Sequence, residues 1–422
     1  MEGLEYTFRQ EYGKLVASLS RRFGSSNFDR VEDAVQGAML KASEIWPAQG
    51  KPDKPAAWLY RVAANRLLDE FKHQSRFSFV EESPFNHSSY IEDEGKLTGE
   101  LQDDALFLLF QCCDERIPEK SQLVFTLKAL CGFSVREISA RLFASEDNVY
   151  KRYNRAKAKL RLFYNDHESP SDDWYQARCQ AVLHVLYLMF NEGYLSVDHA
   201  SPIRLDLCSE AMRLMSWLLA HPSGKNSSAY ALNALMYFHH ARLPARQDGA
   251  GGLVLLEEQD RSQWNGDEIR QGMVWLERAA VGEQFSRYHG EAGIAAEHCL
   301  APSLDKTNWA SIVSFYDMLS AIQPSPFYRL NQAVAIAQWK GPQLALQKLK
   351  ETEPPGWLEG HYLWSAVYSD FYCQLGDAGV ASEFAARAVD EAPTDAIKNA
   401  LRSDSPYREW IYVPSCMFFN HA

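Results

Sequence analysis

The chain has 422 residues, 46% of them hydrophobic and 23% charged, and a net charge of -12. That length accommodates two or three domains with substantial cores, and the composition excludes general disorder. No apolar run approaches the ~20 residues of a membrane span, and the start M-E-G-L-E-Y lacks the basic and apolar regions of a signal peptide, so a cytoplasmic protein with no membrane partner is expected.

The first predicted helix, Leu4 to Phe23, places Phe8, Tyr12, Leu15, Val16 and Leu19 on one side and stops at Gly24. The second, Asp29 to Trp46, turns Val31, Val35, Met39 and Leu40 inward and leaves Glu32, Asp33, Gln36 and Lys41 outside, a side free for docking a protein. After the turn P-A-Q-G-K-P-D-K-P, Pro55 opens a third helix, P-A-A-W-L-Y-R-V-A-A-N-R-L-L-D-E-F. Tyr60, Ala64, Leu67 and Phe71 share its packing side, and Arg61, Asn65, Asp69 and Lys72 line the other. A carboxamide such as Asn65 offers a donor and an acceptor to the edge of an exposed base. Trp58 and Tyr60 either stack on bases or pack in the core; Arg61, Arg66, Lys72 and Arg76 are placed to hold phosphates.

The strings D-A-V-Q-G-A-M-L-K-A and W-L-Y-R-V-A-A-N-R-L-L-D together resemble conserved region 2 of the extracytoplasmic-function (ECF) sigma factors of bacterial RNA polymerase. The resemblance implies that the second helix docks on the β′ clamp helices of core polymerase, with Asp33 and Gln36 at that contact and Glu32 beside them. It implies that the third helix melts and reads the minus-ten element, with Asn65 where the family captures a flipped-out base. Gly37 stands where the family usually has Glu, and Met39 where it often has Phe.

Residues 76–102 are rich in Ser, Pro, Gly and acids without sustained period and are expected to form an acidic linker between region 2 (1–75) and the next domain. Helices follow at Asp103 to Glu115 and Pro118 to Leu130. Ser134 and Glu137 then have capping-box spacing, which opens a helix over Val135 to Leu142. Phe143 and Ala144 form a turn, and Ser145 caps the next helix. There Val149, Tyr153, Ala156 and Leu160 form a narrow apolar stripe opposite Asn148, Lys151, Arg152, Arg155 and Lys159. A basic second helix in a capped helix-turn-helix suits the major groove. The string E-I-S-A-R-L-F-A-S-E-D-N-V-Y-K-R-Y-N-R-A-K-A-K-L resembles sigma region 4 (103–166), which implies reading of the minus-thirty-five element and contact with the β flap of polymerase.

Residues 1–168 hold 24 basic and 26 acidic side chains, leaving 19 and 29 of the 43 and 55 for residues 169–422, so the acid excess lies mostly in the tail domain, set at 167–422. Helices are expected there at Gln180 to Tyr194, Arg204 to Leu219, Ser228 to Arg242 and Asp267 to Val281. Gly341, Gly376, Ala381, Ala388 and Pro393 follow the spacing of a tetratricopeptide repeat. F-N-E-G-Y-L-S at 190–196 and L-L-E-E-Q-D-R-S-Q-W-N at 255–265 resemble signatures of the ECF subgroup with a tetratricopeptide-like extension. Glu192, Asp260 and Arg261 there either line a polar pocket or brace helices. His289, Glu291 and His298 lack the spacing of a metal site, and the eight cysteines read as reduced thiols without a C-x-x-C pair. No Walker loop, nucleophile elbow or dinucleotide fingerprint points to an enzyme.

The expectation is an all-α sigma factor of the ECF type without catalytic residues, metal or cofactor. Its partners are core RNA polymerase, promoter DNA and, at the C-terminal region, a protein or small-molecule regulator. Two other readings fit the residues: a stand-alone helix-turn-helix regulator with a ligand-binding tail, and an enzyme centred on Glu192 and Asp260.

Overall fold

The computed structural model describes residues 2–75, 94–142, 144–163, 170–194, 203–247, 254, 256–282, 284–351, 360–392, 398 and 401. Among them the secondary structure is helical apart from a bridge at Gln247. The chain divides into two compact units, residues 1–186 with 216–223, and residues 187–215 with 224–422.

The first unit is built from α1 (Glu2–Phe23), α2 (Phe28–Gln49), α3 (Pro55–Ser75), α4 (Glu94–Cys112), α5 (Glu119–Phe125), α6 (Val135–Arg141), α7 (Glu146–Phe163) and the first part of α8 (Asp172–Tyr194). Glycines in the left-handed region stop two of the early elements: Gly24 (φ 88°) follows α1, and Gly50 (φ 88°) returns its N–H to the Trp46 carbonyl at 2.9 Å. α4 begins at Glu94, inside the stretch expected as linker, whose residues 76–93, Arg76 among them, lie outside the described residues. The helix expected through Leu130 instead gives way after Phe125 to a π-turn over Thr126–Leu130, in which Cys131 N–H reaches the Thr126 carbonyl at 3.1 Å.

The packing of α2 explains how this unit closes. Val31, Ala34, Val35, Ala38, Ala42 and Trp46 are buried along it, while Leu40, expected inside, is 62% exposed. Glu32, expected outside, is buried: α1 and the π-turn cover it, and its Oε1 accepts hydrogen bonds from Tyr12 Oη at 3.0 Å and Lys128 Nζ at 3.1 Å. Phe28 packs against Phe125 (5.5 Å between centroids), which stacks on Tyr153 of α7 (5.5 Å). Lys128 and Lys157 lie over the Tyr153 ring at 4.8 and 4.6 Å. Asp29 completes the seam by accepting from Lys157 and, at 2.6 Å, from Arg161. Elements of the expected region 2 and region 4 thus share one core.

The opening residues of α8 belong to that core too. Trp174 and Tyr175 pack on Phe110 at 6.3 and 4.9 Å, Trp174 on Phe107 at 5.7 Å, and His221 on Tyr175 at 4.6 Å. Arg178 donates to Asp114 at 2.6 Å. Hydrogen bonds from Arg116 hold the Asp114 carboxyl well below the usual range against the opposing effect of burial, and Arg178 adds to them.

The second unit continues with the end of α8, α9 (Leu205–Ala220) up to Met215, α10 (Ser227–Arg242), α11 (Gly266–Ala279), α12 (Arg287–Leu300), α13 (Trp309–Ile322), α14 (Pro326–Lys340), α15 (Pro342–Lys350), α16 (Tyr362–Gln374) and α17 (Ala378–Glu391). Neighbours in sequence pack in pairs, and Leu319, Phe327, Leu330, Trp364 and Phe371 share a large apolar cluster. Gly341 (φ 93°) and Gly376 (φ 82°) end helices, and Ala381 and Ala388 are buried; Pro393 lies outside the described residues. Gly193 of the F-N-E-G-Y-L-S string has a packing reason. A Cβ there would stand 2.8 Å from the Cys208 backbone nitrogen, so only glycine lets α8 and α9 approach this closely.

Lys128→Met strips the buried Glu32 of the nearer of its two ammonium partners, leaving Lys157 at 4.0 Å, and should lower stability by up to ~3 kcal/mol, read as a shift in urea midpoint. Adding Glu32→Gln to it should recover part of that loss, because the neutral pair leaves no charge uncompensated.

Candidate nucleic-acid interface

α3 presents two distinct sides. Leu59, Ala63, Ala64 and Leu67 are buried, and Arg61, Asn65, Arg66, Asp69 and Lys72 are exposed, as the helical spacing predicts. The Arg66 guanidinium lies against Gly37 of α2, where any Cβ would displace it. Trp58 is half-buried, edge-on to Trp46 at 5.4 Å, and so packs within the protein. Tyr60 is also half-buried, its hydroxyl accepting from Arg22 Nη1 at 3.3 Å. On α2, Asp33 and Gln36 are exposed together with Leu40 and Lys41, whereas Glu32 faces the interior.

The helix-turn-helix forms on the expected caps. Ser134 Oγ accepts from Glu137 N–H at 3.1 Å, Glu137 Oε2 accepts from Ser134 N–H at 2.7 Å, and Ser145 Oγ accepts from Asn148 N–H at 3.2 Å. Val149, Tyr153, Ala156 and Leu160 are buried along α7, which leaves Asn148, Lys151 and Arg155 exposed and Arg152 and Lys159 half-exposed. Lys151 pairs with Asp147 at 2.7 Å, both in open solvent, a contact of little energetic weight that a phosphate can replace. Partial burial, and after it the neighbouring Arg155, lower the pKa of Arg152.

Lys128 and Lys157 escaped sequence reasoning. Nothing in their own helices signals that they converge on Glu32 and Asp29 from ~100 residues away. Burial, then Glu32, pushes the Tyr12 and Tyr153 phenols up. Burial raises Asp29, but hydrogen bonds from Lys157 and Arg161 outweigh it and lower the carboxyl.

The candidate residues of the second unit are engaged separately. Asp260 caps a short turn through Ser262 N–H at 3.0 Å, and Arg261 Nη1 donates to the His298 and Ala301 carbonyls at 2.7 and 2.8 Å, closing the end of α12. Glu192 faces Arg204 at 3.9 Å. His289 Nε2–H donates to the Ala279 carbonyl at 3.2 Å, while Glu291 accepts from Tyr187 at 2.7 Å and Tyr328 at 3.3 Å. Among the described residues no group of His, Cys, Asp or Glu is placed to hold a metal, and no helix is long and apolar enough to cross a membrane.

A capped helix-turn-helix with a basic second helix, sharing a core with a helix that exposes Asn65 among cations, defines a DNA-binding transcription factor. Comparison with known proteins agrees: residues 8–77 match sigma-70 region 2, 107–160 match sigma-70 region 4, and 178–280 match a family of unknown function, DUF6596. An uncharacterised protein of Rhizobium meliloti (strain 1021) is 35% identical over 370 residues, 86% of each chain. A probable RNA polymerase sigma factor of Haemophilus influenzae is 24% identical over 147 residues, 31% of this chain and 75% of its own. The ECF RNA polymerase sigma factor EcfG of Rhodopseudomonas palustris is 26% identical over 144 residues, 34% of this chain and 76% of its own. No solved structure matches the chain. The chain belongs to one family with the Rhizobium protein, and with sigma-70 regions 2 and 4 in its first unit it is a sigma-type transcription factor.

Burial raises the Glu192 carboxyl from 4.5 to about 7 against the pull of Arg204. A carboxyl raised on folding stabilises the fold fully below its unfolded pKa and loses that contribution as pH climbs through the folded one. The apparent melting temperature of the wild type should therefore fall relative to that of Glu192→Gln between about pH 4.5 and 7. A constant difference between the two over this range would refute the assignment.

Proposed function

We propose that the protein is a sigma factor of the ECF type that recruits core RNA polymerase to promoters. α2 docks on the β′ clamp helices through Asp33 and Gln36, and its exposed Leu40 supplies the apolar part of that contact. α3 opens and reads the minus-ten element, with Asn65 hydrogen-bonded to a flipped base and Arg61, Arg66 and Lys72 on phosphates. α7 reads the minus-thirty-five element with Asn148, Lys151, Arg152, Arg155 and Lys159, and region 4 also meets the β flap. Trp58 and Tyr60 steer α3 from beneath. The observation that carries this reading is the exposed Asn65 between cations on a helix whose other side is packed. The paired helices of the second unit are read as a degenerate tetratricopeptide-like array that binds a regulator and supports activity.

Run-off transcription with purified core enzyme tests the proposal. Asn65→Ala should cost ~1 to 3 kcal/mol in open-complex formation, the worth of a good base contact, with core binding intact, and permanganate reactivity of unpaired thymines reads it. Lys151→Ala with Arg155→Ala should weaken use of a minus-thirty-five-dependent promoter and flatten its salt dependence. Firm, sequence-specific binding to duplex promoter without core enzyme would favour a stand-alone regulator. A chain ended at Ser223 keeps every residue of the first unit and should transcribe less than the full chain at equal helicity; more transcription would show that the tail inhibits.

A further inference from the structure

An arginine keeps its proton inside a protein, so a buried guanidinium needs either an anion or a full set of acceptors. Arg242, at the end of α10, is 6% exposed and among the described residues has neither. Its Nη2 donates to the Gln259 carboxamide oxygen at 3.3 Å, the group lies 5.3 Å from the Trp264 ring, and Nε is buried without an acceptor. Both partners are neutral. Gln259 is itself fixed, since its Nε2 donates to the Val254 carbonyl at 3.1 Å.

Other cationic side chains lie in the same region. Arg246, also buried, lies 3.8 Å over the Tyr194 ring, and Arg261 spends its Nη1 on two carbonyls. His239, one turn before Arg242 on α10, packs on Tyr194 at 4.3 Å with Nδ1 buried and unpartnered. Burial first, then Arg242, Arg246 and His298, keep His239 neutral. His298 is driven to about 3 by burial, with Arg242 and Arg261 adding to it. Two silent imidazoles and clustered guanidinium groups are what an interior arranged to meet negative charge looks like.

We infer that Arg242, Gln259 and His239 form a binding site for a small oxyanion, a carboxylate or phosphate group, within the second unit. Arg242 is the anchor: Nε and an Nη form the planar fork that matches two oxygens of such a group. Gln259 fixes the plane of that fork, and the Nδ1 side of His239 supplies a further neutral donor in the matching tautomer. Tyr194 and Trp264 wall the site with aromatic surface, which excludes water and strengthens the charge contact. The site gives the L-L-E-E-Q-D-R-S-Q-W-N string a use for Gln259 and Trp264 that promoter recognition does not require. It deepens the reading of the second unit as a ligand-responsive part of the chain, and it stands or falls separately from promoter reading because its test involves no transcription.

The test is equilibrium dialysis of the full-length protein against labelled inorganic phosphate and, separately, labelled acetate, with chloride holding the ionic strength constant. The expected result is saturable binding of at least one of them to one site per chain at millimolar concentration, weakened at least tenfold in Arg242→Met. That variant should be no less heat-stable than the wild type in chloride alone, because it removes a charge the ligand-free fold leaves without an acid. A structural arginine would give the opposite: a destabilised variant and no saturable oxyanion binding by the wild type. Should Arg242→Met fail to fold, Gln259→Leu decides, since it leaves the charge and frees the fork: oxyanion binding equal to that of the wild type overturns the site. Absence of saturable binding of both probes by the wild type overturns it outright.

Discussion

A carboxylate withdrawn from water must find its partners inside the protein, and in the first unit that carboxylate is Glu32. Tyr12 on α1, Lys128 in the π-turn and Lys157 on α7 converge on it from three elements, so Glu32 specifies which surfaces meet as well as how tightly. The aromatic run Phe28, Phe125 and Tyr153 lies along the same seam and supplies the apolar burial that an ion pair alone would not. Breaking the pair leaves one charge stranded, whereas exchanging both members for neutral side chains need not.

The parts of the interface legible in the sequence were those governed by helical period and local caps. The exposure of Arg61, Asn65 and Lys72 and the stripe of Val149, Tyr153, Ala156 and Leu160 follow from residues three and four apart, and the capping box at Ser134 and Glu137 is a contact within one turn. Glu32 and Leu40 exchanged their expected roles because period assigns sides of a helix but says nothing of which side a distant element will cover. The π-turn at Thr126–Leu130 was equally hidden, since it answers to tertiary packing rather than to any residue that breaks a helix.

In the second unit the conspicuous strings divided between structure and chemistry. Gly193 permits the approach of α8 to α9, Asp260 caps a turn, and Arg261 closes α12, all mechanical tasks that account for three memorable letters. Gln259 and Trp264, less noticeable in the same string, touch a guanidinium that comes from another helix. Arg242 itself sits in no motif, because the property that distinguishes it is a buried Nε without an acceptor among the described residues, and proximity between helices is not written in local spacing.

Two of the three places where the chain passes between the units fall inside α8 and α9, and the third falls in the turn Pro222–Gly224. Trp174, Tyr175 and His221, which lie beyond region 4 in sequence, complete the hydrophobic interior around Phe107 and Phe110. A sigma factor that ends where region 4 ends must finish that interior with its own residues, and this chain delegates the task to α8 and His221. The half that carries sigma-70 regions 2 and 4 is therefore not an interchangeable cassette: grafted onto another C-terminal region it would need new side chains at 107 and 110, and transplanted without one it would carry two phenylalanine rings into water.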